Sequence, residues 1–145
     1  MTTKEYLSQA YRLDQRINSK IEQLKRWQDL ATKATSTLSK TSSCICENSH
    51  KTEDIIVKII DLKNEINNDI DRLIDLKKDI IALINGVKNP EYETLLELRY
   101  LCYKKWAQIA VGMEYDLRYI HKLHLRALSE CKKILKNFQK DTKRH

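Results

Sequence analysis

The chain reads as an all-α protein, a long N-terminal helical hairpin followed by a helix-turn-helix domain. Three observations lead there. Two glycines and one proline in 145 residues leave too few turn residues for a sandwich or an α/β sheet. Ala, Leu, Ile, Lys, Glu, Gln and Arg dominate, and most of them favour helix. Apolar residues recur every three or four positions, with 32% of the chain charged and 41% hydrophobic, as in amphipathic helices that bury one stripe and solvate the rest.

The first segment, about residues 3–39, carries Ala10, Ile17, Leu24, Ala31 and Leu38 on one row and Tyr6, Leu13, Lys20, Trp27 and Ala34 on the other. That is a heptad seam, broken at Lys20. Residues 40–52 lose the periodicity and turn to Ser, Thr, Cys and Asn, which predicts a loop. Thr52, followed by Glu53 and Asp54, reads as the cap of the next helix.

Over residues 53–85 the rows are Ile59, Ile66, Leu73, Ile80 and Ile55, Leu62, Asp69, Leu76, Leu83. Ile56, Ile60, Ile70, Ile74, Ile81 and Ile84 widen the stripe, enough to cover two neighbours. Asp69 on the seam is costly unless paired, and Lys20 is a candidate partner. Gly86 is expected to end this helix in a left-handed conformation, and Pro90 to open the next. The expected domains are therefore 1–85, for oligomerisation or partner binding, and 90–145.

In the second domain, Pro90–Tyr103 forms a helix with Leu95, Leu98 and Leu101 or Cys102 inward. Trp106–Val111 forms the next, with Ile109, Ala110 and Met113 in the core. Asp116 caps a third helix, from Leu117 to about Phe138, that buries Ile120, Leu123, Ala127 and Leu128. The net charge is +7, and residues 117–145 hold nine Lys/Arg against two Asp/Glu. A basic face focused on one helix suits a polyanion, through counterion release from phosphates.

Leu98-Arg-Tyr-Leu, Trp106-Ala-Gln-Ile-Ala and Tyr115-Asp-Leu-Arg-Tyr-Ile-His-Lys-Leu-His-Leu-Arg-Ala-Leu128 together resemble DNA-binding region 4 of bacterial sigma factors. More narrowly they are similar to the sigma-like regulators of phages and prophages, of the ArpU and RinA kind. The resemblance covers about residues 94–130. It implies a sequence-specific regulator of phage genes, an activator acting with host RNA polymerase on double-stranded DNA. Carried over by position, it puts Leu117, Arg118, His121 and Lys122 near base edges and Arg126 on phosphate. Lys104 and Lys105 precede the second helix, where backbone phosphate is often touched. Arg118 has the geometry for a bidentate guanine contact. The departure is Glu114, where the turn often holds Gly.

Two alternatives remain open at this stage. One is a phage packaging protein of the small-terminase kind; the other is a helical interaction protein that occupies host polymerase without DNA. The regulator reading expects a homodimer through the N-terminal helices, whereas ring-like assemblies of many copies would favour the packaging protein. No phosphate-cradling Gly loop, nucleophile–base pair or metalloprotease motif appears, so no enzyme and no cofactor are expected. Cys44-Ile-Cys46 with Glu47 and His50 has the wrong spacing for structural zinc. Cys102 and Cys131 are expected to pack in the core, and His124 to lie on the surface. No apolar run is long enough to span a bilayer and the N-terminus has no secretion-signal core, so a cytoplasmic location in a bacterial host is expected.

Overall fold

The structure is a computed structural model that describes residues 1–38 and 45–143, with side chains described at 1–36 and 50–143. Among the described residues every regular element is helical. In order these are α1 (Thr3–Leu38), α2 (Ile45–Asn85), α3 (Pro90–Leu96), a π-helical turn (Glu97–Leu101), α4 (Trp106–Met113) and α5 (Leu117–Lys143). Helix α2 starts inside the expected loop, so Thr52 lies within it and does not cap it. Without Gly or Pro in residues 45–52, nothing in the backbone there breaks the helix, and residues 40–44 of the expected loop lie outside the described residues.

Thr2 and Glu5 start α1 with a reciprocal box: Thr2 N–H donates to Glu5 Oε2 at 2.9 Å, and Glu5 N–H donates to Thr2 Oγ1 at 3.2 Å. Asn89 Oδ1 accepts from Glu91 N–H at 3.0 Å and opens α3, with Pro90 at its first turn.

Packing divides the chain into two units, Met1–Arg12 with Leu73–His145, and Leu13–Arg72. The division runs through α1 and α2 rather than through residues 86–89, where the sequence had placed it. The reason is that the first turns of α1 and the last turns of α2 take part in the core of the C-terminal helices. Leu7, Ala10, Ile80, Leu83 and Ile84 are buried together with Leu95, Leu96, Tyr100, Ile109, Ile120 and Leu123.

Gly86 ends α2, its N–H shared between Ala82 and Leu83 carbonyls at 3.2 Å each. It is not left-handed, contrary to expectation: no glycine here has a positive φ. A Cβ there would crowd the Leu83 carbonyl of its own helix at 3.3 Å and would make only ordinary contact, at 3.5 Å, with the Ile134 side chain of α5.

The α3 helix runs into a π turn, in which Cys102 N–H reaches Glu97 O at 3.0 Å. The extra residue per turn brings Leu95, Leu96 and Tyr100 to the core, while Leu98 and Leu101 are half-buried and Cys102 is exposed. This corrects the expected inward set, because an uninterrupted α-helix repeat does not hold across that turn. Tyr103 then takes a left-handed φ of 58° and ends the segment.

The second unit is a two-helix pair with Ile17, Leu62 and Ile66 buried. Asp69 is buried beside them and hydrogen-bonded by Lys20 Nζ at 2.7 Å. Arg16 and Arg72 stand at 3.6 and 3.7 Å from the same carboxylate, and Glu65 at 3.5 Å from Lys20. The Lys20 hydrogen bond, helped by the three cations, holds the Asp69 carboxyl below its ordinary range against the opposing effect of burial. Its stabilisation is therefore present above the ordinary carboxylate pKa and is lost as the pH falls below it.

Lys20→Leu leaves Asp69 buried with only the more distant arginines. It is expected to cost about 2 kcal/mol, while Lys20→Leu with Asp69→Leu recovers most of that loss or exceeds the parent. Urea midpoints of the three chains check this. A double variant no more stable than the single one would remove the pair's desolvation penalty from the account.

Candidate nucleic-acid interface

Within the first unit, α4 and α5 are joined by Glu114, Tyr115 and Asp116. Lys105 N–H donates to Gln108 Oε1 at 3.1 Å and fixes the start of α4. Its end is set by Glu114, at φ 60° and ψ 37°. Tyr115 N–H reaches Ala110 O at 3.1 Å and Glu114 N–H reaches Val111 O at 3.3 Å. These are the two bonds of a Schellman ending, with its left-handed position filled by glutamate rather than glycine. Asp116 Oδ1 then accepts Tyr119 N–H at 2.7 Å and starts α5. Tyr115 donates its hydroxyl to Glu91 of α3, which ties the turn down; the Glu91 carboxylate pushes the phenol's pKa up.

One face of α5 holds the turn in place. Ile120, Leu123, His124, Ala127 and Cys131 are buried, and Ile109 and Ala110 of α4 join the same core. Leu128 is half-buried. The opposite side of the helix carries the residues expected at an interface: Arg118, His121, Lys122 and Arg126 are exposed, and Leu117 is 47% exposed. Spacings of three and four set Arg118, His121, Lys122 and Leu125 side by side on that face, and Leu125 is 68% exposed. Lys104 and Lys105 are exposed at the entrance to α4.

Arg99, to which the sequence assigned no role, and Trp106, expected as a core or rim packing residue, connect these groups. Arg99, from the π turn, donates Nη1–H to the Lys104 carbonyl at 2.9 Å and lies over the Trp106 ring at 4.5 Å. Trp106 in turn packs against His121, with ring centroids 5.2 Å apart, and against His124 at 4.4 Å. The start of α4 and the first turns of α5 are thus held through one indole. An Arg–aromatic contact between separate helices has no signature in spacing, so only the fold reveals it.

His124 corrects the expectation of a surface histidine. It is 6% exposed, with Nε2 2.6 Å from the Tyr100 hydroxyl oxygen and the two rings stacked. Burial first, then Lys4, Arg99 and His121, push its pKa down to about 4, and burial pushes Tyr100 up to about 12. Cys131 packs as expected, with its thiol pushed up to about 11 by burial, whereas Cys102 does not. The Cys44 and Cys46 side chains lie outside the described residues. No group of three metal-ligating side chains occurs among the described residues, and no described helix is long and apolar enough to cross a membrane.

The comparisons with known proteins bear on this arrangement. A family model, described as proteins of unknown function (DUF1492), matches residues 33–130. The chain belongs to that family. The DUF1492 match takes in α2, α3, α4 and α5 as far as Glu130, so the turn and every candidate interface residue fall inside it. No curated protein and no solved structure matches.

Two stability outcomes follow for this DUF1492 member. Gly112 sits in α4 with nothing within 4 Å of where a Cβ would stand, so Gly112→Ala should stabilise by about 0.5–1 kcal/mol. Glu114→Gly relieves the left-handed cost, by about 1 kcal/mol, while Glu114→Ala keeps a Cβ and gains little. Thermal midpoints of the three variants are the check, and equal gains from glycine and alanine at 114 would refute the strain.

His124 also predicts a pH window. Its folded pKa lies below the unfolded one, so its contribution is complete above about pH 6.5 and is lost as the pH falls toward about 4. Thermal midpoints should drop across that interval in the parent chain. The drop should shrink in His124→Phe, and an equal drop in both would place the titration elsewhere.

Proposed function

We propose that this protein is a sequence-specific double-stranded DNA-binding regulator that reads its site with the first two turns of α5. The observation that carries the reading is the tight left-handed exit from α4 into a capped α5 whose outward face is basic. Such a turn presents the second helix to the major groove and leaves its first turns open to base edges. Arg118, His121 and Lys122 are the groups for base edges, with Leu117 for an apolar base contact. Arg126, Lys104 and Lys105 serve phosphates.

The charge distribution supports the same reading. Residues 117–145 hold nine Lys/Arg against two Asp/Glu, while residues 53–89 hold six against eight. A chain binding a polyanion along its whole length would not need that contrast. The resemblance of residues 94–130 to sigma region 4 supports transcription as the setting. Phage or prophage genes are then the targets, activated with host RNA polymerase in the bacterial cytoplasm.

Selection of duplexes from a random pool at low and moderate salt tests this. One enriched motif that survives added salt is the expected result, and retention without a motif would refute sequence-specific reading. On the selected site, Arg118→Ala should cost about 1–3 kcal/mol and relax the preference at one position. Lys104→Ala with Lys105→Ala should weaken all duplexes alike and flatten the salt dependence. Unchanged binding by Arg118→Ala with Lys122→Ala would remove α5 from the interface.

A further inference from the structure

The second unit leaves a regular apolar row uncovered. Its buried side chains are Ile17, Leu62, Ile66 and Asp69, while Ile56 is 47%, Ile60 52% and Ile70 37% exposed. On α2 the positions 56, 60, 63, 67 and 70 repeat with spacings of four and three. They form a second heptad row, about 100° around the helix from the one that meets α1. Three β-branched aliphatics at seam spacing in water are an unmet burial. The pair fully buries only three aliphatics, with Leu13, Ile21, Leu24, Ile55 and Ile59 half-buried.

We infer that this row of α2 is a self-association surface, and that its occupant is the same row of a second copy running antiparallel. The polar residues within and beside the row choose both partner and direction. In a parallel, in-register pair, Lys63 would face Lys63 and Asp71 would lie beside Asp71, so like charges would oppose each other along the seam. In the antiparallel register that sets Ile60 against Ile70 of the second copy, Lys63 falls opposite Asn67 of the second copy. Lys63 is then one turn from Asp71 of the second copy. The two-fold axis repeats every one of these contacts, so the interface closes as a dimer.

Neither Lys63 nor Asp71 has an ion-pair partner among the described residues, so both are available for this pairing. A central polar layer flanked by isoleucines costs stability and specifies register. The surface stands independently of the DNA reading, because no residue of α4 or α5 takes part.

Sedimentation velocity of the full chain without DNA, from about 1 to about 100 µM, reads the equilibrium directly. A monomer–dimer transition is expected. Ile60→Lys with Ile70→Lys should leave a monomer throughout, with helicity by circular dichroism unchanged because both positions are exposed. Lys63→Asp or Asp71→Lys alone should weaken association about fivefold or more, and the two together should restore it.

A parent chain that stays monomeric overturns the inference. So does a dimer untouched by Ile60→Lys with Ile70→Lys, which would lie on another surface. Single charge changes that weaken association without rescue by the double change overturn the antiparallel register. A dimer that fails to select DNA would leave this inference standing and remove only the reading of α5.

Discussion

The first unit depends on burying one narrow stripe of α5. Ile120, Leu123, Ala127 and Cys131 are sealed from water, and α3, α4, the start of α1 and the end of α2 all contribute to the core they enter. Large Ile120 and Leu123 fill the stripe in the first turns, and small Ala127 and Cys131 follow them, which lets neighbouring helices approach the later turns more closely. The same burial fixes which way α5 is turned about its own axis. Once that rotation is set, Arg118, Lys122 and Leu125 have no direction left but outward.

A polar group inside that stripe carries the exactness of the arrangement. His124 stays neutral because its surroundings are dry and cationic, and the Tyr100 hydroxyl satisfies its Nε2. Trp106 closes over both histidines, and Arg99 closes over Trp106. A purely aliphatic core would tolerate small rotations of α4 against α5. A hydrogen bond between stacked rings, with the Trp106 indole edge-on to His124, tolerates fewer, because leaving a buried donor or acceptor unpaired is costly.

The two units solve the same problem with different means. One buries many aliphatics from several helices around a single polar pair. The other buries three aliphatics beside a carboxylate held by Lys20. In the second, the ion pair gives register to a helix pair that hydrophobic contact alone would let slide by a heptad.

Much of this was determined by the sequence alone. The scarcity of Gly and Pro made the chain helical, the heptad rows brought Lys20 and Asp69 together, and Asp116 capped α5. These are local or strictly periodic effects, so they can be read along one dimension. Tertiary structure decided the rest. It began α2 by Ile45, inside the segment expected as a loop, and it ended α2 at Gly86 without a left-handed residue. It inserted the π turn that exchanged Leu98 for Leu96 and Tyr100 in the core, and it drew His124 inward to meet Tyr100. Each of these outcomes depends on which distant side chain arrives at a given surface. Composition and spacing do not contain that choice; close packing and the satisfaction of buried polar groups make it.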